Sequence, residues 1–342
     1  MIKTNPVIAV VVPARNEEKY IGKLIDSIMQ TTYDKDKLRI YICDGLSDDK
    51  TQEIVSGYAV KHKGVHLLIN ENRTTPFAFN LGIKNATDAD IVITVSAHAE
   101  VYPDFFDKVV EAFTISPDIG CVGGISDNLY ADETSRAIGL AMSSPFGVGN
   151  AHFRTGGKEG YVDTVSYPAY KKEVFEKVGL FNEALTRNQD DEFNYRVAKA
   201  GYKIYLSKSI RSKYHVRGTF EKVHKQYYQY GYWKVYVNKL HKTVTSTRQL
   251  VPPAYVAFLV GGLIVSCFSY VLALMYLGAL CFYAACAFAF AAKSASNFKQ
   301  SMMIAWTFMI LHFGYGTGYL KGIIDFTLFG KNPSKKAEVL TR

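Results

Sequence analysis

Five short polar clusters in this chain carry side chains capable of chemistry. Four are Pro13-Ala14-Arg15-Asn16-Glu17, Asp44-Gly45-Leu46-Ser47-Asp48-Asp49, Ser96-Ala97-His98-Ala99 and Asn188-Gln189-Asp190-Asp191-Glu192. The fifth, residues 214–234, mixes His215, Arg217, His224, Lys225 and Gln226 with Tyr227, Tyr228, Tyr230, Tyr232 and Trp233. A short carboxylate such as Asp44 can accept two N–H bonds from a nucleotide's base or ribose, while neighbouring side chains take its phosphates. Asp44 reads equally as a turn residue ahead of Gly45, and Asn16 with Glu17 as a helix N-terminal cap. The adjacent acids at 190–192 repel one another, which raises a pKa and favours proton capture. The same acids complement the macrodipole of a helix over 193–200.

The elements that must position these clusters alternate in period. Residues 7–12 form a β-branched run, 17–29 show helical spacing of Tyr20, Leu24, Ile25 and Ile28, and 38–43 read as a second strand. Helices over 52–62 and 76–85, strands over 65–69 and 91–95, and a helix over 104–113 continue the pattern. Such alternation predicts an α/β domain with a mostly parallel sheet, whose ligands sit beyond the carboxyl ends of the strands. The first three clusters fall at strand ends. No G-x-G-x-x-G follows the first strand, and no P-loop exists: Gly157-Lys158 is followed by Glu159, and residue 152 is His.

Composition sets the surroundings. The chain has 342 residues, 48% of them hydrophobic, which excludes a disordered chain or a small disulfide-stapled module. Its net charge of +9 is matched by the 205–248 segment, with ten Lys/Arg against the single acid Glu221. That stretch predicts an anionic partner, phosphate or lipid. The five cysteines lack any CxxC and are expected to be reduced packing thiols without a zinc site.

From 249 to 292 there are 44 residues without a formal charge. A helix needs about 20 residues to cross a hydrocarbon layer, so this predicts a transmembrane hairpin broken near 266–270. A third apolar stretch, 301–320, carries His312 and glycines at 314, 316 and 318, and is expected to be transmembrane, interfacial or broken. The basic segment should face inward by the positive-inside rule, with the first 200-odd residues in the cytoplasm. The tail's Lys331, Lys335, Lys336 and Arg342 also favour the inside. A nucleic-acid partner is disfavoured because the hairpin follows within twenty residues of the basic and aromatic segment.

The stretch Val11 to Glu18, VVPARNEE, together with Cys43 to Asp49, CDGLSDD, resembles the catalytic domain of family 2 glycosyltransferases, the GT-A nucleotide-sugar fold. The resemblance runs on through Asn80-Leu81-Gly82, Val122-Gly123-Gly124, Phe146-Gly147-Val148-Gly149, Val162-Asp163-Thr164-Val165 and Asn188 to Glu192, and reaches Gln226-Tyr227-Tyr228. It covers about residues 6–235, and is similar in detail to membrane-anchored enzymes of succinoglycan biosynthesis.

That resemblance implies an inverting hexosyl transfer from a nucleoside-diphosphate sugar, a UDP-sugar first, to a lipid-linked diphosphate saccharide in exopolysaccharide or surface polysaccharide synthesis at the plasma membrane. It implies nucleotide contacts from Pro13, Ala14, Arg15, Asn16, Glu17, Asp44, Ser47, Arg73, Ser96 and Ala97. Asp190 takes the family's base position, with Asp191 as substitute and Gln189 where the family has Glu. Arg217, Gln226, Tyr230 and Trp233 would meet the acceptor and diphosphate. A divalent cation, Mn2+ or Mg2+, would use His98 and His215. Here the family's Asp-x-Asp or Asp-x-His reads Ser96-Ala97-His98, so one full charge is missing and binding is expected to be weak. The implied division is 1–213 catalytic, 214–248 interfacial, 249–292 hairpin, 301–320 a third segment and 321–342 a basic tail. A catalytically silent nucleotide-sugar-binding subunit is the rival reading, motivated by Ser96 and Gln189; a processive synthase is disfavoured by the few apolar segments.

Overall fold

The computed structural model describes residues 3–216 and 218–332. They form two compact units, one of residues 3–129 with 152–215 and one of 130–151 with 216–332.

The first unit opens with β1 (Ile8–Ala14), α1 (Ile21–Met29), β2 (Leu38–Asp44), α2 (Thr51–Lys61), β3 (Val65–Ile69), α3 (Thr75–Asn85) and β4 (Ile91–Thr94). Then come β5 (Ala99–Val101), α4 (Phe105–Phe113) and β6 (Ile119–Leu129). The chain next enters the second unit through α5 (Glu133–Met142) and α6 (Pro145–Val148). It returns with α7 (His152–Thr155), β7 (Gly160–Tyr161), β8 (Ser166–Lys171), α8 (Lys172–Val178), α9 (Gln189–Lys199) and β9 (Lys203–His215).

One sheet carries the unit, in the order β3-β2-β1-β4-β8-β6-β9-β5, with β7 on β9. The first four strands are parallel, as the alternating periods predict; β8 enters antiparallel between β4 and β6, which makes the sheet mixed. Strand β1 is buried from Ile8 to Val12, on both faces, as a central strand covered by helices must be. One core layer includes Ile21, Leu24, Ile25 and Ile28 of α1; Leu24, Ile25 and Ile28 belong to the spacing that marks that helix in the sequence, whereas Ile21 rather than Tyr20 completes the buried face. The opposite layer is closed by an aromatic group in which Phe193 stacks on Phe181 at 4.5 Å and meets Tyr170 edge-on at 5.1 Å.

Gly124 lies where β6 shifts register against both neighbours. A Cβ there would fall 1.7 Å from the Ile210 carbonyl oxygen, so only glycine lets β6 and β9 approach. Cys43 and Cys121 are buried in this unit, and all five cysteines are free thiols.

The second unit continues with α10 (Phe220–His241), α11 (Val251–Ser266), α12 (Tyr270–Ala292) and α13 (Phe298–Gly322), followed by a π-helical turn, Ile323–Leu328. Helices α11 and α12 form the expected hairpin with its break at 267–269. By length and composition, the spans Thr247–Ser266 and Tyr270–Ala292, of 20 and 23 residues, are able to cross a membrane. Only Pro253 and Val256 of α11 and Ala287 and Ala291 of α12 are buried, which is unlike the core helices of a soluble protein.

Segment 301–320 is not broken: it lies within the single 25-residue helix α13. Its glycines are close-packing positions. A Cβ on Gly318 would fall 2.0 Å from the Tyr228 carbonyl oxygen, so α13 lies against the backbone of α10. His312 has a structural place too, with Nε2 2.9 Å from the Phe146 carbonyl oxygen and Nδ1 2.8 Å from the Tyr283 hydroxyl.

Replacing Gly124 by alanine is expected to lower the unfolding free energy by about 2–4 kcal/mol, because the new methyl meets backbone rather than a movable side chain. Thermal or denaturant unfolding checks it; an unchanged midpoint would show that β6 and β9 can separate freely.

Candidate active site

Parallel pairing sets β1, β2, β3 and β4 to end on one edge. The loops after the first three strands each hold one non-glycine residue in the left-handed region: Asn16 (φ 56°), Leu46 (φ 56°) and Arg73 (φ 63°). Such conformations cost of order 1–3 kcal/mol each and persist only where surrounding contacts enforce them.

Those contacts are visible. The Asn16 N–H donates to Ser47 Oγ at 2.9 Å, and Asn16 Oδ1 accepts the Asp48 N–H at 2.9 Å. The Glu17 N–H donates to Thr51 Oγ1 at 2.8 Å, and the Glu18 N–H to Asp49 Oδ2 at 3.1 Å. The first two loops are therefore laced side chain to backbone. Arg73 is exposed, and its backbone abuts Gly45.

Asp44 is fully buried and accepts from the Ser47 N–H (3.0 Å), the Ser47 hydroxyl and Gln52 Nε2 (2.6 Å). A carboxylate offers about four acceptor positions, so three are used inside the fold. Asp44 thus builds the turn, the simpler of its two sequence readings, and its carboxylate is enclosed by these contacts. Gln52 and Thr51 were not singled out in the sequence. Their signal is positional, since both open α2, three to four residues beyond Asp48.

After β4, Ser96 is half-buried, Ala97 is buried and His98 turns back towards β1, with Nδ1 3.2 Å from Glu17 Oε1. The His98 ring meets Tyr214 edge-on at 5.6 Å. His215, the other expected ligand, places Nε2 3.1 Å from Glu100 Oε1 and its ring 4.8 Å from that of Tyr20. Each histidine therefore has its own carboxylate. Among the described residues no three His, Cys, Asp or Glu side chains are grouped to hold an ion. The donor set does not fit a cation cage made of protein alone. It does fit a site in which Glu17 and His98 supply two donors and a diphosphate and water supply the rest, as hard cations accept.

Glu100 was missed by sequence reasoning, because its role depends on the antiparallel pairing of β5 with β9. Burial raises its pKa, but hydrogen bonds from His215 and Lys213 outweigh this and hold it below the ordinary 4.5.

The acids at 190–192 occupy the first turn of α9, which starts four residues before the expected helix because Asn188, in the left-handed region, precedes it. Glu192 is buried and paired with Arg196 through 2.8 and 2.9 Å contacts, while Arg196 also donates to the Val178 and Leu180 carbonyls. It is a packing acid. Asp190 is exposed and Asp191 half-buried. Gln189 Oε1 is enclosed without a hydrogen-bond partner. The loop before α9 is pinned by Asn80, which donates to the Phe181 carbonyl at 2.9 Å and accepts the Phe181 N–H at 3.0 Å. Asn80 of the Asn-Leu-Gly motif thus holds the backbone at Phe181, between α8 and α9.

In the second unit, Gln226 is buried and donates to the Tyr230 hydroxyl at 2.7 Å. Trp233 is fully buried, beside Tyr236 and Phe326, and its indole N–H is enclosed without a partner. It packs this unit rather than presenting an edge to a ligand. Arg217 lies outside the described residues.

Residues 9–179 match the sequence model of Glycosyl transferase family 2. The chain belongs to this family. It is 33% identical over 232 residues, 66% of this chain and 71% of the relative, to the dolichyl N-acetyl-alpha-D-glucosaminyl phosphate 3-beta-D-2,3-diacetamido-2,3-dideoxy-beta-D-glucuronosyltransferase of Methanococcus voltae. It is 25% identical over 321 residues, 93% of this chain and 95% of the relative, to the succinoglycan biosynthesis protein ExoA of Rhizobium meliloti (strain 1021). The mannosyltransferase PcManGT of Pyrobaculum calidifontis, solved with GDP-Man and Mn2+, shares the fold at a TM-score of 0.65 and 18% identity, over 94% of this chain and 88% of that one. The fold is GT-A, and this family 2 protein is a glycosyltransferase.

The Glu100 shift gives a signed pH dependence. A depressed folded pKa stabilises the fold above the unfolded value and loses that contribution as pH falls through the folded one. Melting temperature should therefore drop on acidification below about 4.5, and Glu100→Gln should flatten that slope. Equal slopes for both proteins would remove Glu100 from the account.

Proposed function

We propose that this glycosyltransferase moves a hexose from a nucleoside-diphosphate sugar, UDP-sugars first, to a lipid-linked diphosphate saccharide, with inversion at the anomeric carbon, in exopolysaccharide or surface polysaccharide assembly. The observation that carries the reading is the joining of the β1, β2 and β4 loops through Asn16, Glu17, Ser47 and His98 at one sheet edge. The names of the Methanococcus and Rhizobium relatives support the acceptor class and the pathway type.

In this mechanism the loops 13–17 and 44–47 hold the nucleotide, with Asp44 fixing the shape of the loop that receives the base. Arg15 and Arg73 face the phosphates, and Ser96 and Ala97 pass beneath them. The acceptor hydroxyl oxygen bonds to the anomeric carbon as that carbon's bond to the diphosphate oxygen breaks. The departing nucleoside diphosphate takes the electron pair, and the hydroxyl proton passes to Asp190, with Asp191 as the alternative base. Asp190 suits the role because it is exposed at a helix start whose direction is set by buried neighbours, so positioning rather than strong basicity does the work. A divalent cation, Mn2+ ahead of Mg2+ given an imidazole donor, would supply positive charge to the departing diphosphate when bound. Gln226, Tyr230 and Arg217 are the acceptor-side candidates. The α11–α12 hairpin anchors the chain in the plasma membrane, with the catalytic unit cytoplasmic.

Ser96 and Gln189, which stand where the family carries carboxylates, motivate a second reading, a silent subunit that binds a nucleotide sugar without transferring it. Purified membranes offered a donor panel decide between the two. Asp190→Asn is expected to cut nucleoside diphosphate release by about 100-fold or more while leaving nucleotide affinity intact. Nucleotide binding without release on any lipid acceptor would establish the silent subunit instead.

A further inference from the structure

The triplet after β4 lacks its leading carboxylate, yet a carboxylate stands beside His98. It comes from β1. Glu17 Oε1 lies 3.2 Å from His98 Nδ1, and the two side chains are only 8% and 14% exposed. Neither is a loose surface group: the Glu17 backbone is held by Thr51, and the imidazole packs against Tyr214.

We propose that Glu17 supplies the charge that Ser96 does not, so that Glu17 and His98 form a two-donor seat for a divalent cation bridging the donor diphosphate. This rests on the donor-site reading above and makes it more specific. Two adjacent ligands of an octahedral ion, each about 2.1 Å away, lie about 3.0 Å apart, close to the separation observed here without any rearrangement of backbone. Small hard cations commonly take one or two protein ligands and fill the remaining positions with phosphate oxygens and water. The imidazole tilts the choice towards Mn2+. His215 stays outside the seat, because Glu100 and Lys213 tie it into the β5–β9 edge. The cation ligand has in effect moved from the fourth strand's loop to the first strand's loop, a substitution possible because β1 and β4 are parallel neighbours.

Full-length protein in detergent, titrated with Mn2+ and followed by electron paramagnetic resonance with and without UDP or GDP, tests the seat. Wild type is expected to bind Mn2+ in a nucleotide-dependent way. Glu17→Gln should weaken that binding at least tenfold, a loss several times larger than any change in nucleotide affinity measured in EDTA. Adding Ser96→Asp to Glu17→Gln should restore most of the Mn2+ affinity, since the charge returns at the leading position of the Ser96-Ala97-His98 triplet. Melting curves of each variant exclude a folding defect as the cause. The proposal is overturned if wild type shows no nucleotide-dependent Mn2+ binding, if metal-free nucleotide binding falls in parallel, or if the double variant stays as weak as the single one. Sugar transfer that persists in EDTA would remove the seat and leave the transferase reading standing. Failure of wild type to bind any nucleotide would remove both.

Discussion

In a parallel sheet, neighbouring strands end on the same side, and β1 is the strand through which that constraint reaches the site. Ala14 of β1 pairs with Asp44 of β2, and Val11 of β1 pairs with Thr94 of β4. Three loops therefore leave the sheet together, and residues more than 80 positions apart, Glu17 and His98, become hydrogen-bonding neighbours. The pairing is stable because β1 is buried on both faces, where a slip of one residue would break every side-chain contact at once.

Side-chain hydrogen bonds constrain the loops at this edge. Left-handed residues in three successive loops are strained, and the Asn16–Ser47, Asn16–Asp48 and Glu17–Thr51 hydrogen bonds hold two of those loops in place. Asp44 spends most of its acceptor capacity on the same purpose. A site so arranged pays less ordering entropy on binding. The acidic turn at 190–192 is positioned by a different device: Phe193 is locked among aromatics, and Arg196 clamps Glu192 to the end of α8, leaving Asp190 at the surface.

The second unit follows another logic. Glycine permits backbone contact between α10 and α13, His312 is satisfied on both nitrogens, and buried Trp233, Phe308 and Phe326 supply the apolar packing. Its hairpin is the opposite, apolar and hardly buried, with Phe268 at the tip 81% exposed. An apolar surface of that kind is stable only against a non-aqueous partner.

Much of this could be read from the sequence. Helical and strand periods located β1 to β4, the helices between them and α4 within a few residues, because local burial patterns determine them, and the motifs after β1 and β2 fall at one edge of the sheet. The hairpin was equally legible, since an absence of charge is a local property. Tertiary structure alone decided the rest. That β8 enters antiparallel, that Glu17 faces His98 while Glu100 takes His215, and that Trp233 is enclosed all follow from contacts between residues far apart in sequence. The glycines of α13 show the difference most plainly: the sequence leaves open that they break the helix, whereas the α10 backbone at Gly318 and the α11 backbone at Gly316 leave room for no side chain.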